Sequence, residues 1–236
     1  NDLIAMGTNT QHYGDHFILT ADIDLAGHSF TTALIAANTT PIGTTFSGVT
    51  FKGTFDGNGH VIRHLMIDGS VEGNDYLGLF GYIDGGEVRD RGIEDGWVGG
   101  GDYNIGGLVG RHVAGTITNC YSTVSVSGSA NSIGGLAGYN GGGGAIQGCH
   151  ATGPVSGQTY VGGLVGVSGY TGGAITACYA TGSVTGSSHL GGLVGWNVDG
   201  TIASCYATGS TVGTSYQVGG LAGTNQGQIT DCYARG

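Results

Sequence analysis

Five cysteines, eight histidines and a clustered run of acids are the side chains here with the reach for covalent, metal or acid–base chemistry. The cysteines are Cys120, Cys149, Cys178, Cys205 and Cys232, an odd number at near-constant separation. Zinc thiolate sites draw their sulfurs from close pairs such as Cys-x-x-Cys, and no such pair occurs. A disulfide needs side chains aimed at one another, whereas residues stacked in register run parallel. The cysteines are therefore expected to be reduced, inward-facing and to behave as small hydrophobes. His60 and His64 stand four apart, which on a helix would suit a shared metal. Their setting, Gly59-His-Val-Ile-Arg-His-Leu-Met-Ile67, alternates as a strand does, and there the spacing amounts to roughly 13 Å. They read as surface histidines. Asp56-Gly57-Asn58-Gly59 has the look of a calcium loop but lacks the further oxygen ligands and the closing Glu. A tight turn is the expectation.

The stretch from Asp84 to Asp102 holds Glu87, Asp90, Glu94 and Asp95 beside Arg89 and Arg91. A polysaccharide hydrolase or lyase would need such a cluster on one face. Elsewhere the chain offers little: 14 of the 16 acids precede residue 103, and Arg111 and Arg235 are the only fixed cations after it. With net charge −10 there is no basic stripe to neutralise phosphates, which excludes nucleic-acid binding. No catalytic residue, metal or cofactor is expected.

The elements that position these residues come from an internal repeat. Gly-Gly-Leu-Val/Ala-Gly recurs at 106–110, 134–138, 162–166, 191–195 and 219–223, with a degenerate copy at 77–81. Its leucines, Leu79, Leu108, Leu136, Leu164, Leu193 and Leu221, are 28 or 29 residues apart. An aliphatic follows each: Val88, Ile117, Ile146, Ile175, Ile202 and Ile229; three residues beyond each of the last five sits a cysteine. Glycine, 53 of 236 residues, lacks the collagen period, and 39% hydrophobic content is too high for a disordered linker. No apolar run approaches a membrane span, and no signal peptide opens the chain, so a secreted form would already have lost its leader.

Each unit reads as three short strands with glycine corners. Within Ile175–Gly186, Cys178, Ala180 and Val184 share one parity while Tyr179, Thr181, Ser183 and Thr185 share the other. One unit cannot bury its apolar face alone; stacking units buries a continuous core and pairs each strand with its copies. The expectation is an all-β, parallel, right-handed β-solenoid of about 28-residue turns. Residues 1–102 form an irregular acidic section that caps or begins the coil, and 103–236 form the regular array. The core ladders are Leu108/Leu136/Leu164/Leu193/Leu221, Ile117/Ile146/Ile175/Ile202/Ile229 and the five cysteines.

These units resemble the GLUG-motif repeats of large secreted and surface-attached bacterial proteins. The opening resembles the block that often precedes such arrays: Ala21-Asp-Ile-Asp-Leu25, Phe51-Lys-Gly-Thr-Phe-Asp-Gly-Asn-Gly-His60 and Gly78-Leu-Phe-Gly81. The resemblance implies an extracellular or cell-surface stalk or adhesive module. Some IgA-cleaving metallopeptidases carry similar repeats, but their His-Glu-x-x-His motif is absent here, so that activity is not carried over.

The leading expectation is a rigid, non-catalytic rod, fibre subunit or adhesin stalk. Its expected partners are copies of itself or the rest of a longer repeat chain, with glycans as a further candidate, and no membrane span is expected. An outward ladder of Tyr121, His150, Tyr179, Tyr206 and Tyr233, flanked by Thr123, Thr152, Thr181 and Thr208, is the candidate binding surface. It would stack on sugar rings or meet a partner, unless it simply braces neighbouring strands; threonine rows also occur on ice-binding solenoids. Aligning Val88 with Ile117 sets Arg91 at the inward position of Cys120. The first turn is expected to bulge and carry Arg91 to solvent; the alternative is a polar pocket with Asp90, Glu94 or Asp95 as partner. The final unit, ending Cys232-Tyr-Ala-Arg-Gly236, is as regular as the interior ones, so end-to-end assembly is expected.

Overall fold

A computed structural model describes residues 2–40, 45–71 and 74–236. The strands stack as a parallel β-solenoid of five sheets, holding eight, eight, six, six and five strands. Helix is confined, among the described residues, to α1 (Asp2–Thr8) and two single 3-10 turns.

Each of the first four regular units contains five short strands, and the last contains four, where alternation suggested three. In the first they are Tyr103–Gly106, Val109–Val113, Thr116–Thr118, Tyr121–Ser122 and Ser125–Ser127. Two corners invisible to a period-2 reading break the longer segments. One is the Gly-Gly-Leu arch. A Cβ on Gly162 would fall on the Val165 carbonyl oxygen, and one on Gly163 on that of Gly192, so glycine is the side chain that fits both positions. The other is a residue in the left-handed region just before each cysteine: Asn119 (φ 52°), Gly148 (63°), Ala177 (53°), Ser204 (54°) and Asp231 (53°). In a straight strand, residues three apart face opposite sides. The left-handed residue resets the parity, so Ile117 and Cys120 both point inward, each 0% exposed.

Equivalent residues pair in register from turn to turn. One file runs Phe17, Phe55, Val88, Ile117, Ile146, Ile175, Ile202, Ile229. Leu108, Leu136, Leu164 and Leu193 form a second buried file, with Leu221 packed against the same core. Each fully buried Leu or Ile contributes about 1.5–3 kcal/mol relative to exposure. The acidic section shares these sheets: His16–Ile18 pairs with Thr54–Asp56, that strand with Glu87–Arg89, and that in turn with Thr116–Thr118.

Asp56-Gly57-Asn58-Gly59 is a turn in which the Asp56 carboxylate accepts the Asn58 N–H at 2.7 Å, with Asn58 and Gly59 at positive φ. His60 and His64 lie at the two ends of Val61–Arg63 and face different acids, Asp22 at 3.1 Å and Asp24 at 2.7 Å.

Candidate functional site

The five cysteines form one inward file of free thiols. Cys120, Cys149, Cys178 and Cys205 are buried, and Cys232 is partly so. The backbone N–H of each of the first four donates to the next sulfur at 3.3 Å. Each thiol in turn reaches the carbonyl oxygen two residues earlier, at 3.0–3.2 Å. Burial holds the Cys149 thiol well above its ordinary pKa, so this sulfur is a packing group rather than a nucleophile.

Arg91 does not bulge to solvent. Gly92 pairs with Tyr121, so Arg91 occupies the cysteine file one turn before Cys120, and it is 2% exposed. None of its three guanidinium nitrogens has a hydrogen-bond acceptor. Asp90, Glu94 and Asp95 are not its partners; instead the guanidinium lies over the Phe55 ring, 4.1 Å from the centroid. The physical reason is register. Asp90 adopts φ 53°, as Asn119 does one turn later, and so turns the next residue inward. Burial pulls the Arg91 pKa down to about 10, with Cys120 opposing the shift.

Glu94 and its neighbours are engaged at the surface. Glu94 pairs with Arg63 at 3.1 Å and accepts the Tyr121 hydroxyl at 2.6 Å. Arg89 bridges Asp56 at 2.9 Å and Glu87 at 3.0 Å. Burial, and secondarily Glu94, push the Tyr121 phenol up to about 12. Among the described residues no three His, Cys, Asp or Glu side chains converge on one point.

The outward aromatic ladder is present, but its ring faces are closed. Tyr121, His150, Tyr179, Tyr206 and Tyr233 stack with centroids 5.0, 4.5, 4.9 and 5.2 Å apart and planes within 6° of parallel. A sugar ring cannot enter between faces so close; only edges and hydroxyls are offered outward. Beside this stack Thr152, Thr181 and Thr208 are exposed, and Thr123 is half-buried.

Two further groups escaped the sequence reading. Four residues after each arch leucine comes a polar side chain: His112, Asn140, Ser168, Asn197 and Asn225. The first four are 0% exposed. His112 Nδ1 meets Asn140 Oδ1 at 2.8 Å, and Asn197 donates to Asn225 Oδ1 at 2.7 Å and to the Gly200 carbonyl at 3.1 Å. These amides satisfy the corner carbonyls; the constant offset was the available signal. Burial drops the His112 pKa to about 4. The second group is an aromatic cluster around Trp196 that joins different phases of the repeat: Tyr160 and His189, equivalent positions in successive turns, with Tyr170 and Tyr216.

A stacked solenoid with repeat-wise inward files of Leu, Ile and Cys defines a glycine-rich repeat protein. The chain belongs to the GLUG motif family, which matches residues 101–127, 129–156, 157–185, 186–213 and 214–236. It is similar to halomucin of Haloquadratum walsbyi (strain DSM 16790 / HBSQ001), 35% identical over 139 residues. That match covers 58% of this chain and 2% of halomucin, so the chain spans a very small part of that relative's length. No solved structure matches the chain.

Proposed function

We propose that this chain is a stretch of an extracellular or cell-surface structural array, working as a stiff, non-catalytic spacer. The observation that carries the reading is the continuity of the ladders. Two of the sheets run through eight strands each, from the acidic section to the last unit, without a break in register. Bending such a stack strains every backbone hydrogen bond on one side at once, so stiffness follows from the geometry. The similarity to halomucin supports a place at the cell surface, and no helix among the described residues is long and apolar enough to cross a membrane. The acids between Asp84 and Asp102 that an enzyme would use include Glu87 and Glu94, both held in ion pairs with arginines.

Every turn presents the same row of backbone donors and acceptors, so further turns, from this chain or another copy, would add in the same register. Small-angle scattering on arrays of five and ten repeats tests the spacer reading. The maximum dimension should grow by about 4.8 Å per added repeat. A much smaller increment would show that the array folds back on itself and would sink the reading.

A further inference from the structure

Tyr160, Tyr170, His189, Trp196 and Tyr216 gather on one outward face where the repeat elsewhere carries unlike residues. The rung equivalents of Trp196 are Val167 and Thr224, and those of Tyr160 and His189 are Ser132 and Gln217, the residue before Ile133 and Val218. Further back in the Trp196 file stand Tyr139 and, beyond Arg111, Tyr82, so rings in this file alternate with other residues rather than stack on their own copies. Their geometry also differs from that of the closed Tyr121–Tyr233 stack. Tyr160 and Trp196 stack on one another, centroids 4.9 Å apart at 28°, which closes the faces between them. Tyr170 and Trp196 meet at 81°, and Tyr216 and His189 at 69°, so neither tyrosine is sealed in a parallel pile with these rings. Tyr139 lies parallel to Tyr170 but at 6.4 Å. Tyr170 and Tyr216 are 50% and 65% exposed and are the open walls of the cluster.

The Tyr170 wall is held in place at a conformational cost. Tyr170 and Thr171 adopt φ of 54° and 82°, the second unfavourable for a β-branched residue. The Asp199 carboxylate fixes the loop by accepting the N–H groups of Thr171 at 3.1 Å and Gly172 at 3.2 Å. Tyr139 donates its hydroxyl to the Gly169 carbonyl at 2.7 Å from below.

We infer that this cluster is a binding site for a neutral glycan, with about two sugar rings held against the exposed Tyr170 and Tyr216, which the Tyr160–Trp196 pair and His189 position. Aromatic faces carry the negative side of the ring quadrupole, and the C–H face of a pyranose, faintly positive and apolar, is complementary to them. The cluster spans three successive turns, two strand spacings or about 10 Å, the length of a disaccharide. Charge argues for a neutral ligand. Asp199, the acid nearest the rings, is committed to its loop, and the repeat section carries only Arg111, Asp199, Asp231 and Arg235 as fixed charges. Burial lowers the His189 pKa, which keeps that ring uncharged at neutral pH. A second protein is the weaker fit. Stable protein interfaces cover about 800 Å² on each partner, whereas five rings of about 150–250 Å² each, partly covering one another, offer a few hundred.

Native affinity electrophoresis tests this with laminarin, mannan, xyloglucan and hydroxyethylcellulose as neutral probes and alginate as the acidic one. At least one neutral polysaccharide should retard the protein. Tyr170→Ala and Tyr216→Ala, both at exposed positions, should each weaken that retardation at least tenfold with unchanged circular dichroism. Trp196→Phe should weaken it less than Trp196→Ala, and Tyr206→Ala, in the closed stack, should leave it unchanged. No retardation by any neutral probe, retardation by alginate alone, or retardation that survives the Tyr170→Ala/Tyr216→Ala double change would overturn the inference. The spacer reading does not depend on this outcome, since array length is measured without ligand.

Discussion

Arg91 stands in the file of inward side chains that Cys120 continues, its guanidinium packed against Phe55 and its nitrogens without an acceptor. A buried cation held by one ring face recovers only part of its lost hydration. Arg91→Met should therefore raise stability at neutral pH by about 1–3 kcal/mol, read as a higher urea midpoint with unchanged slope. The folded-state pKa of about 10 lies below the ordinary arginine value, so the penalty is present at every pH below it and eases only above. The gain should then be constant from about pH 5 to about pH 9. A lower midpoint for Arg91→Met would show that the guanidinium is stabilising after all.

Two buried groups give opposing pH dependences. His112 has its folded pKa lowered to about 4, so its neutral form is favoured; its contribution is complete above pH 6.5 and lost as pH falls from there toward 4. Burial raises the Asp75 pKa to about 6, so the protonated carboxyl is favoured and stability falls as pH rises from about 4 to about 6. Each amounts to about 3 kcal/mol at most, and between pH 4 and 6 they largely cancel. His112→Asn, which copies the side chain at Asn140 and Asn197, should unmask a stability that declines with rising pH. Asp75→Asn should unmask the reverse. Denaturant titrations at several pH values check both signs.

Thiol counting on denatured, unreduced protein should find all five cysteines free. In the native state Cys232, the partly exposed member, should react first and the four buried thiols only through unfolding. Cys178→Ser should fold with a small loss, because the hydroxyl can use the Thr176 carbonyl now 3.2 Å from the thiol. Cys178→Tyr should not fold, since Cys149 and Cys205 are stacked directly on either side of it and leave no room for a ring. Detection of fewer than five thiols would contradict the parallel file.

The closed aromatic stack should behave as a brace. Tyr179→Ala removes ring contacts on two sides, at 4.5 Å to His150 and 4.9 Å to Tyr206. It should cost about 1–3 kcal/mol and more than Tyr233→Ala at the exposed last rung. Tyr179→His, which repeats the residue at His150, should recover most of the loss. Equal costs at the two positions would argue that stacking contributes nothing.

The repeat length and the parallel stacking were readable from spacing alone. In-register stacking makes every turn solve the same burial problem, so periodicity in the chain becomes periodicity in space. Spacing could not show that Ile117 and Cys120, an odd number of residues apart, share a face. That depends on a left-handed backbone at Asn119, Ala177 and Ser204, a conformation that side chains as unlike as Asn, Ala and Ser all adopt here. The same corner carried Arg91 inward, against the expectation that a guanidinium would find water. Orientation of the rings was equally out of reach. Tyr179 and Tyr206 hide their faces because register sets them one strand spacing apart. Tyr170 stays half exposed because its loop meets the Trp196 strand from a non-equivalent position. Repeat phase records which residues stack on their own copies, and contacts between different phases exist only once the turns have closed.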